Sequence, residues 1–243
     1  AAMARCDALL REGAHLLDIG GESTRPGART PSVDEELARV VPVVRHAVTL
    51  GVPVSVDTSR PEVIRAVLDL GADIVNDVRA LVLPGAVEAV AAHPRAGVCL
   101  MHMQGQPQSM QAAPDYVDVV GEVREFLARR LAVAVGAGIP AERIVLDPGI
   151  GFGKLPQHNM ALLARQDELL ALGRPLLVGW SRKSTLGTVT GRAVEERLAA
   201  SVAAALLAAQ RGAGVLRVHD VAATVDVLAV MDAATHPNRI RTS

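Results

Sequence analysis

The chain has 243 residues, half of them hydrophobic, and a formal net charge of −1, which allows one large core within a single domain. With no basic excess and only one Trp, one Tyr and two Phe, it lacks both the electrostatic footprint and the stacking surface of a nucleic-acid binder. Cys6 and Cys99 stand far apart with no Cys-x-x-Cys pattern, so a reducing, cytoplasmic setting is expected; no export signal is expected either, and the longest apolar run, residues 198–209, is too short to span a bilayer and reads as a buried Ala-rich helix.

In chain order, residues 3–13 predict a helix closed by Gly13, followed by a strand over 15–21. A helix over 34–49 precedes a strand over 53–57. Pro61 marks the start of a helix that Gly71 ends. A strand over 74–78, a short helix over 85–92 and a strand over 97–102 come next. After a loop over 103–114, a helix is expected over 115–135 and a strand over 144–147. A loop over 148–156 leads to one helix ending at Gly173, a strand over 175–179 and a loop over 180–191. A helix over 194–211, a strand over 215–219 and a last helix over 221–234 complete the chain. Short Val/Leu/Ile-rich strands alternating with helices predict a parallel sheet covered by helices. Seven strands are one short of a closed (β/α)8 TIM barrel, yet the chain opens in a helix and approaches the roughly 250 residues of that fold. The expectation is therefore a single barrel domain over 1–243, α/β in class, with the first strand and first loop absent.

The stretch Asp18-Ile19-Gly20-Gly21-Glu22-Ser23-Thr24-Arg25-Pro26-Gly27 runs from an apolar strand into glycines, hydroxyls, a carboxylate and an arginine. Glycines permit close backbone approach, and Ser23, Thr24 and Arg25 suit a phosphate or carboxylate, although a solvated turn would carry the same residues. In a barrel every C-terminal strand end faces one mouth, where catalytic groups collect. Asp57, Asn76, Met101, His102, Asp147, Ser181, Arg182, Lys183, Arg217 and His219 fall there. Bland roles exist for several of them. Asp57 could cap the next helix; Asp147, followed at once by Pro148 and Gly149, suits that poorly. One of Asn76 and Asp77 could be a cap, Met101 core packing and His102 structural. Either Arg182 or Lys183 could be a surface cation. Arg217 and His219 alternate on the predicted last strand and so share a face, where an unpaired charge is costly. By residue type, Asp57, Asn76 and Asp147 suit a flat heterocycle bearing several N–H groups. Thr24, Arg25, Lys183, Arg217 and His219 suit a phosphorylated group, and the loops after strands 7 and 8 are the usual phosphate corner of this fold.

Seven stretches in register, DIGGESTRPG from Asp18, SVDTS from Ser55, Asn76-Asp77, LMHMQG from Leu100, DPGIGFGK from Asp147, GWSRKS from Gly179 and RVHDV from Arg217, resemble the bacterial dihydropteroate synthase family. The resemblance implies condensation of 6-hydroxymethyl-7,8-dihydropterin diphosphate with 4-aminobenzoate, releasing diphosphate and forming 7,8-dihydropteroate for folate synthesis. It implies a pterin site of Asp57, Asn76, Val78, Met101, Asp147, Gly179 and Lys183. Thr24, Arg25, Arg217 and His219 would meet the diphosphate. Arg25, Pro26, Phe152, Ser181 and Lys183 would border the aminobenzoate, where sulfonamides compete. Lys183, Arg217, His219 and Asp57 would carry the chemistry. It further implies Mg²⁺, whose Asn ligand would lie in the absent first segment, and a homodimer. Competing readings are a corrinoid-dependent pterin methyltransferase domain, a Schiff-base aldolase on Lys183 and a catalytically silent pterin-binding paralogue.

Overall fold

A computed structural model describes residues 1–23, 27, 29–105, 110 and 113–239. Its sheet is parallel throughout and its strands pair in sequence order. Strands β1 (Leu17–Gly20), β2 (Val54–Asp57), β3 (Ile74–Asp77), β4 (Gly97–Met101) and β5 (Ile144–Asp147) form one ladder. β6 (Leu177–Val178) and β7 (Val215–Leu216) form a second, joined to the first by a single bridge between Leu146 and Leu176. Sequential parallel pairing with a helix after nearly every strand is the winding of a (β/α) barrel. The two ends of the sheet approach each other: Arg217, just past β7, pairs with Asp18 on β1 at 2.6 Å. Among the described residues no strand pairing joins β7 to β1.

Register decides which side chains stand abreast. Gly20 lies opposite Asp57, Asp57 opposite Asn76, Asn76 opposite Cys99 and Met101 opposite Asp147, so Asp57, Asn76, Met101 and Asp147 stand at or one residue short of the C-terminal ends of their strands. Helices α1 (Ala2–Arg11), α2 (Val33–Ala47) and α3 (Pro61–Asp69) cover β1 and β2 through a cluster including Val40, Val44, Val56 and Val67. A larger cluster, with Leu100, Leu127, Leu146 and Trp180, lies under the remaining helices. Local chemistry sets the helix starts. Ser32 caps α2 in a reciprocal box, accepting the Glu35 N–H at 3.1 Å while Glu35 accepts the Ser32 N–H at 2.7 Å. Pro61 occupies the first turn of α3, where its missing N–H costs nothing.

Several expectations are corrected. After β3 comes the short α4 (Ala86–Ala91), and helix α5 (Val119–Gly136) begins later than residue 115, because the Glu122 carboxylate accepts the Val117 and Asp118 N–H groups and caps it there. The helix expected to run to Gly173 is two, α6 (Pro156–Ala164) and α7 (Gln166–Leu170). No Gly or Pro marks the break. Arg165 stands at the joint with non-helical dihedrals, its guanidinium gripping Glu168 at 2.6 Å and Asp118 at 2.9 Å. Residues 180–191, expected to be loop, contain α8 (Ser184–Thr190). Its Gly and β-branched residues are poor helix formers, but Thr185 and Leu186 are buried and Asn159 donates to the Thr185 hydroxyl at 2.8 Å, so tertiary packing overrides propensity. Residues 194–211 split into a 3₁₀ turn and α9 (Leu198–Gln210), which buries only one face; Leu198 and Leu207 are exposed. β7 ends at Leu216, so Arg217 and His219 lie beyond the strand, not on it. A last helix, α10 (Val221–Thr235), packs against α9. No described helix is long and apolar enough to cross a membrane.

Candidate active site

A carboxylate in the apolar run that forms β1 is expensive unless something answers it. Asp18 is answered twice, and by the same oxygen: its Oδ2 accepts Arg217 Nε at 2.6 Å and Asn76 Nδ2 at 3.2 Å. Arg217 also lies 3.6 Å from the Asp57 carboxylate through Nη2. Three predicted residues, Asp57, Asn76 and Arg217, are thus brought together by a fourth that sequence reasoning missed. The available signal was the acid itself, breaking an otherwise apolar strand. Burial, and then the neighbouring Asp18 charge, push Asp57 up to about 8, against the pull of Arg217. For Arg217 burial opposes the charge, but Asp18 and Asp57 outweigh it and raise its pKa above the usual guanidinium value.

Asp147 ends β5. Its Oδ1 accepts the Gly149 N–H at 2.7 Å, a bond within its own turn and not a helix cap. Burial raises Asp147 to about 6, moderated by that N–H and by Lys183, Lys154 and Arg217. Because Asp147 and Arg217 feel each other, the acids of the first ladder and the cation beyond the second share one end of the barrel. Lys183 directly precedes α8, its ammonium 4.5 Å from the centroid of the Phe152 ring, within cation–π range. Burial lowers Lys183 to about 8 despite the nearby Asp147. Gly151 is required beside it, with φ +83° and a Cβ position only 3.1 Å from Lys183 Cδ. Ser181 Oγ accepts the His219 N–H at 3.2 Å and meets the ring Nδ1 at 3.0 Å, tying the loop after β6 to the loop after β7. Burial, followed by Arg182 and Arg217, depresses the His219 pKa. Val78 and Met101 are buried beside Asn76 and Asp147, and Gly179 has Arg217 Cβ 3.9 Å from where its own Cβ would stand.

Other candidates separate out. His102 is structural: Lys154 Nζ meets its Nδ1 at 2.9 Å, and burial together with that cation pushes the ring down to about 2. Asp77 binds the backbone N–H groups of Arg79 and Leu81 and the Ser59 hydroxyl, so it closes the turn after β3; neither Asn76 nor Asp77 caps a helix, since Gly85 precedes the next one. Asp57 caps no helix; Arg60 precedes α3. Arg182 is held by Asp220 at 2.5 Å, outside the acid row. Thr24, Arg25 and Pro26 lie outside the described residues. A groove of about 460 Å³ lined by Glu22, Thr30, Arg60 and Arg79 shares no residue with the acids and cations at the strand ends, so the chemistry, not this groove, locates the site. Among the described residues no group of three or more His, Cys, Asp or Glu could hold a metal, so they do not by themselves make a magnesium cage.

The barrel gathers buried acids and cations together at its strand ends, and the family described as pterin binding enzyme matches residues 1–219. A dihydropteroate synthase of Neisseria meningitidis serogroup B is 54% identical over 237 residues, covering 96% of this chain and 83% of that protein. The Yersinia pestis enzyme solved with a sulfonamide drug superposes with a TM-score of 0.93 at 46% identity, covering 96% of this chain and 85% of the other. The Burkholderia cenocepacia enzyme solved with 7,8-dihydropteroate gives 0.91 at 52% identity, covering 98% and 88%. The chain belongs to the dihydropteroate synthase family. That membership displaces the methyltransferase and aldolase readings.

Proposed function

We infer that the chain joins 6-hydroxymethyl-7,8-dihydropterin diphosphate to 4-aminobenzoate, giving 7,8-dihydropteroate and diphosphate. The observation that carries this is the meeting of Asp57, Asn76 and Arg217 at one rim, with Asp147 and Lys183 on the same face. Asp147 accepts from the amino-pyrimidinone edge of the pterin, each charge-assisted bond contributing about 1.5–3 kcal/mol. Asn76, Asp57 and Lys183 take the remaining polar positions of the ring, and Val78, Met101 and Gly179 its flanks. Arg217 and His219, with Thr24 and Arg25, receive the diphosphate. Phe152 and Ser181, with Lys183, Arg25 and Pro26, border the aminobenzoate and any sulfonamide competing for it.

The reaction follows from charge. The methylene C–O bond breaks with its electron pair leaving on the diphosphate, and Arg217 stabilises that anion as it develops. Positive charge grows on the pterin methylene beside the Asp57 carboxyl. The arylamine nitrogen then forms the new C–N bond and sheds a proton. An aniline is already a nucleophile, so the site needs no strong base. Magnesium held with the diphosphate would supply further charge neutralisation. The reading extends to a cytoplasmic homodimer. Val189, Val194, Leu198, Leu207 and Val230 leave large apolar side chains exposed on α8–α10 and the turn before α9, elements that pack on one another, and light scattering tests the dimer.

Diphosphate release assayed with both substrates together, beside either alone, tests the function. Stoichiometric 7,8-dihydropteroate and diphosphate are expected only with both present. Unchanged single-turnover bond cleavage in Arg217→Ala would show the leaving-group assignment to be wrong.

A further inference from the structure

We propose that Asp18 is a positioning residue for the reaction: it holds Arg217 and Asn76 in the orientations that meet the two ends of the pterin diphosphate. A carboxylate only accepts hydrogen bonds, so the group of Asn76 that faces Asp18 is its NH₂, 3.2 Å away. The Asn76 carbonyl is thereby turned the other way. It is buried, and among the described residues it has no hydrogen-bond partner. Asp18 therefore sets Asn76 as an acceptor toward the ring, selecting an N–H at that position of the ligand. The same oxygen engages Arg217 through Nε at 2.6 Å, which leaves the Nη fork for an anion. Without Asp18 the nearest carboxylate to the guanidinium is Asp57, 3.6 Å from Nη2, and movement onto it would carry the cation into the ring site.

A purely structural reading would make Asp18 a stitch between β1 and the segment after β7. Two observations speak against it. A structural Arg–Asp pair ordinarily uses both oxygens in a fork, yet Asp18 Oδ1 is buried and has no hydrogen-bond partner among the described residues. The seam is also tied elsewhere: Arg5 of α1 donates to the His219 carbonyl at 2.9 Å, and Gly13, two residues past α1, lies against Val225 of α10.

The proposal rests on the reading of this rim as the pterin diphosphate site, and calorimetric titration separates the two. The probes are 6-hydroxymethyl-7,8-dihydropterin diphosphate and the same pterin without diphosphate. They are titrated into the parent, Asp18→Asn, Asp18→Glu, Arg217→Ala and the double variant Asp18→Asn with Arg217→Ala. Asp18→Asn is expected to weaken the ring alone about tenfold and the diphosphate about 100-fold. On the Arg217→Ala background, Asp18→Asn should cost the diphosphate only the tenfold share of the ring. Asp18→Glu keeps the charge but moves it by one methylene. It should retain the parent melting temperature without retaining the diphosphate affinity, and it decides the case even if the Asn variant does not fold. Equal weakening of both ligands, an undiminished effect of Asp18→Asn without Arg217, or full affinity in Asp18→Glu would overturn the proposal. A parent that binds neither ligand would overturn the site reading and this one with it.

Discussion

Lys154 and Lys183 lie at the same end of the barrel, and burial lowers both, to about 7 and about 8. They use their ammonium groups in opposite ways. Lys154 reaches four protein acceptors: His102 Nδ1 and the carbonyls of His102, Gly149 and Phe152, at 2.9 to 3.3 Å. Lys183 faces the Phe152 ring and the charge of Asp147. The acids repeat the contrast. Asp77 fills both oxygens with N–H and O–H donors of its own turn and of Ser59, whereas Asp18 and Asn76 each keep a buried oxygen with no partner among the described residues. A polar group saturated by the protein maintains the loop it sits in. One that the protein leaves unsaturated costs folding free energy that a ligand or an ordered water recovers.

The sharpest way to break this comparison is to truncate both lysines. Lys183→Ala should lower kcat/KM about 10²–10³-fold with no loss of melting temperature, read by steady-state kinetics and thermal unfolding. Lys154→Ala should reverse the pattern. Its four acceptors lose their donor, stability falls by about 3–5 kcal/mol in a denaturant titration, and the folded fraction binds pterin as the parent does. If Lys154→Ala were the catalytically dead variant and Lys183→Ala the unstable one, the contrast would be inverted.

The pH profile sharpens it further. Asp147 loses its proton near 6 and Lys183 near 8, so pterin diphosphate binding should rise through the first and fall through the second, about tenfold per pH unit on each outer limb. Asp147→Asn should erase the acid limb while leaving the alkaline one; a persisting acid limb would reassign it. The smallest effect is on stability. The folded-state pKa of Asp147 lies above the ordinary carboxylate value, so the folded protein holds that proton more tightly than the unfolded chain. Stability is greatest below the unfolded value near 4 and is lost as pH rises through about 6. Asp147→Asn should therefore melt a few degrees higher than the parent at pH 8 and no higher at pH 4.

Strand order, the barrel winding and the row of Asp57, Asn76, Met101 and Asp147 were legible because apolar periodicity and polar strand ends are local properties. So was the start of α3 at Pro61; the Ser32 cap of α2 was not read from the sequence. The helix in residues 184–190 was not, since its residues disfavour helix and only the Asn159 contact and burial of Leu186 impose it. The break at Arg165 was hidden as well: no Gly or Pro marks it, and the ion pair Arg165 makes there is with Asp118, 47 residues away.

Residue types and their spacing along the chain were enough to say that acids and cations would share the barrel mouth. Which acid the fold saturates with donors and which it leaves with an open oxygen was decided by tertiary structure alone. Asp18, Asp57, Asp77 and Asp147 are chemically the same side chain, and they differ only in how many donors the folded chain brings within reach of each oxygen. Hydrogen-bond saturation is a property of neighbours in space, and no reading along one dimension contains it.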